Sequence, residues 1–163
     1  MKNNLKTSVL SDENFVLEEN SIGAIWQICF IANSFVFPIN AFFDKEYEIS
    51  RLEFVILYIL AHRDDLMAWE ICRISSLPKN NVSRGVQKLE QKGRIERSPD
   101  PDDARRALLH MTTSGREFYE ELLEYYQSRA DAFLSLLDDE DKADLERITV
   151  KLSKALPTLP KLA

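Results

Sequence analysis

Between Glu70 and Thr112 the chain reads EICRISSLPKNNVSRGVQKLEQKGRIERSPDPDDARRALLHMT, and few folds accommodate that order of signals. A short helix is predicted over about Ala68–Ser75, with Ile71 and Ile74 inward. Ser76-Leu77-Pro78-Lys79 then reads as a turn, since the residue before a proline is pushed away from helical geometry. A second helix follows over about Lys79–Lys92, with Val82, Val86 and Leu89 at i, i+4 and i+7. Gly93 suits its C-cap. Arg94–Ser98 and Arg106–Thr112 read as strands, joined through the Pro- and Asp-rich loop Pro99–Arg105.

The flanks are helical. A first helix is expected from about Ser21 to Phe43, with Ile22, Ile25, Trp26, Cys29, Val36 and Phe43 on one face and Phe30, Ile31, Phe35, Phe37 and Phe42 elsewhere around it. A helix apolar on most sides must be buried on most sides, and a chain of 163 residues predicts that a second subunit helps. Pro38 is expected to kink or break it. The next helix starts on a capping box, Ser50-Arg51-Leu52-Glu53, flanked by the possible staple Ile49/Phe54, and runs to about His62. Beyond the hairpin, a long helix begins near Thr112–Ser114, where Ser114/Glu117 offers another capping box, and Tyr119, Leu122, Tyr126, Ala130, Phe133 and Leu137 follow helical steps. A last helix starts at the acidic run Asp138–Asp141, which suits the positive end of a helix dipole, carries the stripe Leu145, Ile148, Leu152 and Leu156, and ends at Pro157 and Pro160.

The expected fold is therefore mostly α with a small β-hairpin. Its parts are a polar tail at 1–20, a first helix at 21–48, a helix–turn–helix–hairpin domain at 49–112 and two C-terminal helices at 113–163.

Charge narrows the function. Residues 78–112 hold eight Lys and Arg against five Asp and Glu, which is +3; a whole-chain charge of −6 leaves −9 for the rest. One basic segment in an acidic body is the distribution of a protein that meets a polyanion at one place only. The first twenty residues lack the apolar core of a signal peptide, and the apolar run Ile28–Phe37 is shorter than the ~20 residues of a membrane span. A cytoplasmic protein with reduced thiols is expected. His62 and His110 are isolated and no metal-ligand spacing, phosphate loop or nucleophile motif is present, so neither a metal, a cofactor nor an enzymatic activity is expected.

With Val82, Val86 and Leu89 inward, the second helix turns Lys79, Asn80, Asn81, Ser83, Arg84, Gln87 and Lys88 outward. Asn and Gln pair with adenine edges, Arg with guanine, and Lys and Ser hold phosphates. The alternative meaning of such a pattern is a solvated helix face; the turn before it and the basic hairpin after it point to double-stranded DNA. At the hairpin, Arg105 and Arg106 suit a narrow minor groove, and Asp103 can brace them.

These residues resemble the MarR family of winged-helix transcriptional regulators. The likeness rests on Glu70-Ile71-Cys72, Leu77, Val82-Ser83-Arg84, Leu89-Glu90-Gln91-Lys92-Gly93, Asp103-x-Arg105 and Thr112-x-x-Gly115, in that order. It implies a winged helix-turn-helix domain with a helical dimerisation lobe built from the first and the last two helices. It also implies a homodimer on a pseudo-palindromic operator, most often acting as a repressor. By the same resemblance the helix residues named above enter the major groove, and Arg105, supported by Asp103, reaches the minor groove. Pro78 and Met111 depart from the commoner residues of the family.

Many members respond to small aromatic or carboxylate ligands, and Trp26, Phe30, Tyr47, Arg51 and Tyr58 are the candidates for such a site; the alternative is that they are core and surface residues. Two other readings stand beside the ligand-released repressor. One is a thiol-based redox sensor through Cys29, against which weighs its apolar setting; Cys72 reads as core. The other is a winged helix used for protein–protein contact.

Overall fold

The structure is a computed structural model that describes residues 22–103 and 105–159. The expected polar tail, the helix start at Ser21 and the stop at Pro160 lie outside the described residues. In chain order the elements are α1 (Gly23–Tyr47), α2 (Arg51–His62), α3 (Ala68–Ser75), α4 (Lys79–Gln91), β1 (Ile95–Pro99), β2 (Ala107–Met111), α5 (Thr113–Leu134) and α6 (Asp139–Ala155), with a 3-10 turn at Leu156–Thr158. The expectation of a mostly α chain with one hairpin holds. Two compact units are separable, Met1–Tyr119 and Glu120–Ala163.

α1 corrects two expectations. It runs through Pro38 without a break and extends one turn past Phe43. A proline inside a helix costs about 3 kcal/mol. Ile39 and Phe43, both buried just beyond it, return roughly 1.5–3 kcal/mol each, enough to hold the last turns in place. The helix is also longer than the run Ile28–Phe37 suggested: by length and composition its 25 residues could cross a membrane. It ends on Glu48 in the left-handed region, φ 52°, and Ile49 N–H reaches back to Phe43 O at 3.3 Å. Apart from Ile39 and Phe43, none of its residues is buried.

α2 opens on the capping box as expected. Glu53 N–H donates to Ser50 Oγ at 3.3 Å, and Ser50 N–H and Oγ donate to Glu53 Oε2 at 3.0 and 2.6 Å. Ile49 and Phe54, the expected staple, are both buried. Glu53 does more than cap, because Lys92 Nζ, at the far end of α4, donates to Glu53 Oε1 at 2.9 Å and to Glu48 O at 2.6 Å. Burial alone would push the Glu53 carboxyl up. Hydrogen bonds from Ser50 and Lys92, with the lysine charge, outweigh it and hold the group below its ordinary value of 4.5.

α3 buries only its first turn, on Glu70 and Ile71. Ile74, expected inward, is 48% exposed, because this two-turn helix leaves the packed surface before its last turn. α4 lies against α2 and α3 through Val82, Val86 and Leu89, all fully buried. Gly85 is on the same side; a Cβ there would sit 2.6 Å from Ile56 Cδ1, so the absent side chain sets how close α4 comes to α2. The helix ends in a Schellman motif. Gly93 takes φ +66°, its N–H donates to Glu90 O at 2.9 Å, and Arg94 N–H donates to Leu89 O at 2.9 Å.

β1 and β2 pair antiparallel, from Ile95↔Met111 to Pro99↔Ala107, one residue later in β1 than the sequence suggested. Leu66, before α3, adds a single bridge to Leu109, whose N–H donates to Leu66 O at 2.9 Å. The hairpin is thus sewn to the helices at a buried leucine.

α5 corrects a cap. Its N-cap is Thr112, whose Oγ1 accepts from Gly115 N–H at 2.9 Å and donates to the carbonyls of Gly93 and Arg94, at 2.8 and 3.1 Å. Ser114, the expected cap, is instead inside the helix and accepts from Arg94 NH1 at 2.7 Å. Within the second unit, Leu122 is fully buried and Tyr126, Ala130, Phe133 and Leu137 are half-buried. α6 starts on Asp138, which accepts from Asp141 N–H at 2.9 Å, and buries no residue at all.

Candidate nucleic-acid interface

The packing of α4 decides which of its side chains can meet another molecule. With Val82, Gly85, Val86 and Leu89 turned inward, Lys79, Asn80, Ser83, Arg84, Gln87 and Lys88 are exposed and Asn81 is half-buried. The expected outward set is therefore outward. One detail was not legible in the sequence: Arg84 NH2 donates to Asn81 Oδ1 at 2.9 Å. Holding a long side chain before contact removes part of the ~0.5–1.5 kcal/mol that its ordering costs on binding.

The hairpin tip is organised by its aspartates. Asp100 Oδ1 accepts from Asp102 N–H at 3.0 Å, and Asp103 Oδ1 accepts from Arg105 N–H at 3.1 Å. Arg106 N–H donates to Asp103 O at 2.8 Å, and Arg106 Nε meets Asp103 Oδ2 at 3.2 Å. Asp103 thus braces the backbone of Arg105 and the side chain of Arg106. The Arg105 guanidinium is exposed and has no ion pair among the described residues. The resemblance implied that Asp103 supports Arg105; that support reaches only the Arg105 backbone, and the ion pair goes to Arg106.

Two further pairs tie the hairpin to the helices. Arg97 grips Glu90 of α4 with two hydrogen bonds, Nε to Oε1 at 2.6 Å and NH2 to Oε2 at 2.9 Å, and these raise its already high pKa. Arg94, at the base, donates to Ser114 and lies 4.1 Å from the centroid of the Phe118 ring. Sequence reasoning missed both; Arg94 and Ser114 lie 20 residues apart, beyond any local pattern. Glu90 and Arg97 flank the Gly93 turn, however, and an acid and an arginine on either side of such a turn are a usable signal.

His62 and His110 were read as isolated. His110 is not: its Nδ1 lies 2.7 Å from Asp65 Oδ1, with Asp64 close by, and its Nε2 lies 2.5 Å from Ser98 Oγ. Both ring nitrogens already have partners, so the cluster serves as a brace across the hairpin.

The five candidate ligand residues are not gathered together. Tyr47 packs its ring against Phe42, Phe43 and Phe118, and Tyr58 against His62 and Tyr119. Trp26 and Phe30 are exposed on α1. Arg51 lines a cleft with Leu52, Val55, Ser75, Leu77 and Asn81. Cys29, expected on an apolar and protected face, is exposed, and Cys72, read as core, is half-buried.

Comparison with known proteins agrees with the geometry. The MarR family profile matches residues 49–107, the stretch from Ile49 through β1 to the start of β2. Over 112 residues the chain is 31% identical to the helix-turn-helix transcriptional regulator YkoM of Bacillus subtilis, covering 68% of this chain and 70% of that one. The transcriptional repressor MprA of Escherichia coli is 34% identical over 85 residues, which are 52% of this chain and 48% of MprA. Among solved structures, a MarR/EmrR family transcriptional regulator from Acinetobacter sp. ADP1 superposes with a TM-score of 0.74 at 27% identity, over 83% of this chain and 96% of that one. BldR from Sulfolobus solfataricus shares the fold, with a TM-score of 0.71 at 22% identity, over 83% and 93% of the two chains. The chain belongs to the MarR family of winged-helix transcriptional regulators, which are DNA-binding proteins and not enzymes.

Proposed function

We propose that the protein is a cytoplasmic homodimeric repressor that reads a pseudo-palindromic DNA site and leaves it when a small ligand binds. The observation that carries the reading is α4: a helix fixed by three fully buried aliphatic side chains, with Arg84 already held by Asn81 on its exposed side. Asn80, Asn81, Arg84 and Gln87 read base edges in the major groove, while Lys79, Ser83 and Lys88 hold phosphates. Arg105 enters the minor groove beside it, with Asp103 and Arg106 setting the tip. The uncovered apolar faces of α1 and α6 support pairing with a second copy, which places two α4 helices about 34 Å apart, one turn of duplex. The similarity to a named repressor supports the sign of regulation.

Titration of the protein with operator-like duplex at several salt concentrations tests this. With roughly 6–10 phosphates neutralised per dimer, affinity falls about 10³–10⁵-fold between 50 and 200 mM salt. Arg84→Ala with Arg105→Ala weakens specific binding by roughly 10²-fold or more, at about 1–3 kcal/mol per base-reading arginine, and leaves the melting temperature unchanged. Salt-independent binding, or full binding by the double variant, overturns the reading. A complete lack of duplex binding at any salt favours a protein-contact role for the winged helix.

The exposure of Cys29 supports a second reading, oxidant-driven release. It requires that peroxide abolish duplex binding and that Cys29→Ser restore it; a native protein insensitive to peroxide excludes it.

A further inference from the structure

We propose that Ser98 is an acylation site: its hydroxyl, set against His110 and Asp65, attacks a small activated acyl ester and keeps the acyl group. The site stands independently of the DNA reading above.

The brace across the hairpin has the connectivity of a nucleophile, a base and an orienting acid. Ser98 Oγ lies 2.5 Å from His110 Nε2, and His110 Nδ1 lies 2.7 Å from Asp65 Oδ1. Each contact falls on the ring nitrogen that this chemistry requires. The Asp65 carboxylate only accepts, so it keeps a proton on Nδ1. In the neutral ring Nε2 is then the acceptor for the Ser98 hydroxyl proton.

The backbone fixes this geometry. Leu109 N–H donates to Leu66 O at 2.9 Å, and Met111 N–H donates to Asp64 Oδ1 at 3.2 Å. The neighbours of His110 on both sides are thereby tied to the neighbours of Asp65 on both sides. Asp65, in the left-handed region at φ 61°, is held across from the imidazole. On the other flank, the register pairs Glu96 with His110 and Ser98 with Leu108, which sets Ser98 diagonal to His110 on one face of the hairpin. Groups placed by sheet register are pre-positioned, and positioning of this kind is a large part of what makes a hydroxyl react. The His110 side chain is 23% exposed and Ser98 is half-buried, so a small reagent reaches the hydroxyl from solvent.

In the step itself, Ser98 Oγ bonds to the acyl carbon as its proton passes to His110 Nε2. The tetrahedral adduct collapses by breaking the bond to the leaving oxygen, which departs with the bonding pair and takes that proton. One ester replaces another, and nothing is oxidised or reduced. Turnover would in addition need donors aimed at the oxyanion, each worth about 10²–10³ in rate. The three side chains supply a nucleophile and a base, so the ester is expected to accumulate as a modification of the protein.

Incubation of the full-length protein with p-nitrophenyl acetate, followed by peptide mass spectrometry, tests this. One acetyl group is expected on Ser98, removable by neutral hydroxylamine; acetyl amides on lysines resist that reagent and are told apart by it. Ser83, an exposed serine on α4, is the internal standard and should stay unlabelled over the same time. Ser98→Ala removes the hydroxylamine-sensitive label. His110→Gln slows Ser98 acetylation about 10²-fold, the lower end of what a general base supplies. Asp65→Asn slows it about tenfold, less than a buried acid would, because the Asp65 side chain is 67% exposed. Asp65→Glu, which keeps the carboxylate, recovers part of that loss. Melting temperatures of all four variants separate loss of chemistry from loss of fold. Equal labelling of Ser98 and Ser83 overturns the site, as does acetyl found on His110 in place of Ser98. Undiminished Ser98 acetylation in folded His110→Gln, or labelling that merely follows melting temperature across the Asp65 variants, overturns the assigned roles.

Discussion

α4 and α6 are helices of 13 and 17 residues, each with an aliphatic stripe on one side. In α4 the stripe, Val82, Val86 and Leu89, is sealed completely against α2 and α3. In α6 the corresponding residues Leu145, Ile148 and Leu152 are 40–45% exposed, and nothing on the helix is buried. The pattern in the sequence is alike; the difference lies in what each stripe has to pack against. Around α4 the chain supplies its own partners. The stripe of α6, like Trp26, Phe30 and Phe37 of α1, is left exposed, and the proposed pairing with a second copy is what would cover it. The helix proposed to read DNA is packed by its own chain, and the helices proposed to assemble are not.

Charging the α6 stripe breaks this contrast most severely. Ile148→Asp with Leu152→Asp is expected to leave the folded content intact by circular dichroism and to convert dimer to monomer by sedimentation. Duplex affinity then falls by about 10²–10⁴-fold, the factor lost when two linked contacts become one. A dimer that survives both changes would end the view that α6 is an assembly surface. Next in size, Gly115→Ala strikes the self-sufficient side. Its Cβ would lie 1.9 Å from the carbonyl oxygen of Arg94, a backbone atom that cannot swing away. A loss of roughly 3 kcal/mol or more in urea unfolding is expected, without a change in the association constant of the protein that remains folded.

Glu53→Gln is smaller, at about 2 kcal/mol, and has a signature in pH. The native carboxyl titrates below its ordinary value, so its contribution is present in full above about pH 5 and is lost as pH falls through the folded-state value. The variant should therefore lose less stability than the native protein between about pH 5 and pH 3. Parallel pH profiles would show that Glu53 is not the group. The smallest effect is at Tyr119, whose hydroxyl is buried without a hydrogen-bond partner among the described residues and whose phenol is pushed above its ordinary value, first by burial. Tyr119→Phe is expected to change unfolding stability by no more than about 1 kcal/mol, in the stabilising direction, because it removes an unpaired polar group.

What could be read in advance follows the same division. The Ser50–Glu53 box is legible because both partners lie within one turn; Lys92, the third partner, lies 39 residues away and is invisible to any local pattern. The outward set on α4 follows from the spacing of Val82, Val86 and Leu89 alone. Ile74 fails the same logic because periodicity gives a direction and says nothing of where the neighbouring surface stops. Thr112 displaced Ser114 as the cap of α5 because its hydroxyl also reaches the Gly93 and Arg94 carbonyls, a choice made by tertiary contact. The expected break at Pro38 fails for a related reason: the local penalty is real, and the burial that outweighs it is set by the rest of the fold.

The chain has two tryptophans, and they fall on opposite sides of this division. Trp26 is exposed on α1; Trp69 is exposed on α3, with Arg73 over its ring at 5.3 Å. Both indoles are exposed in the single chain, so each should emit at long wavelength there and shift to the blue only when something covers it. With Trp69→Phe, emission reports on α1 alone; with Trp26→Phe, it reports on the helix-turn-helix alone. The proposed subunit pairing and the proposed docking on DNA can thus be followed in two single-tryptophan variants by intrinsic fluorescence, without an attached dye.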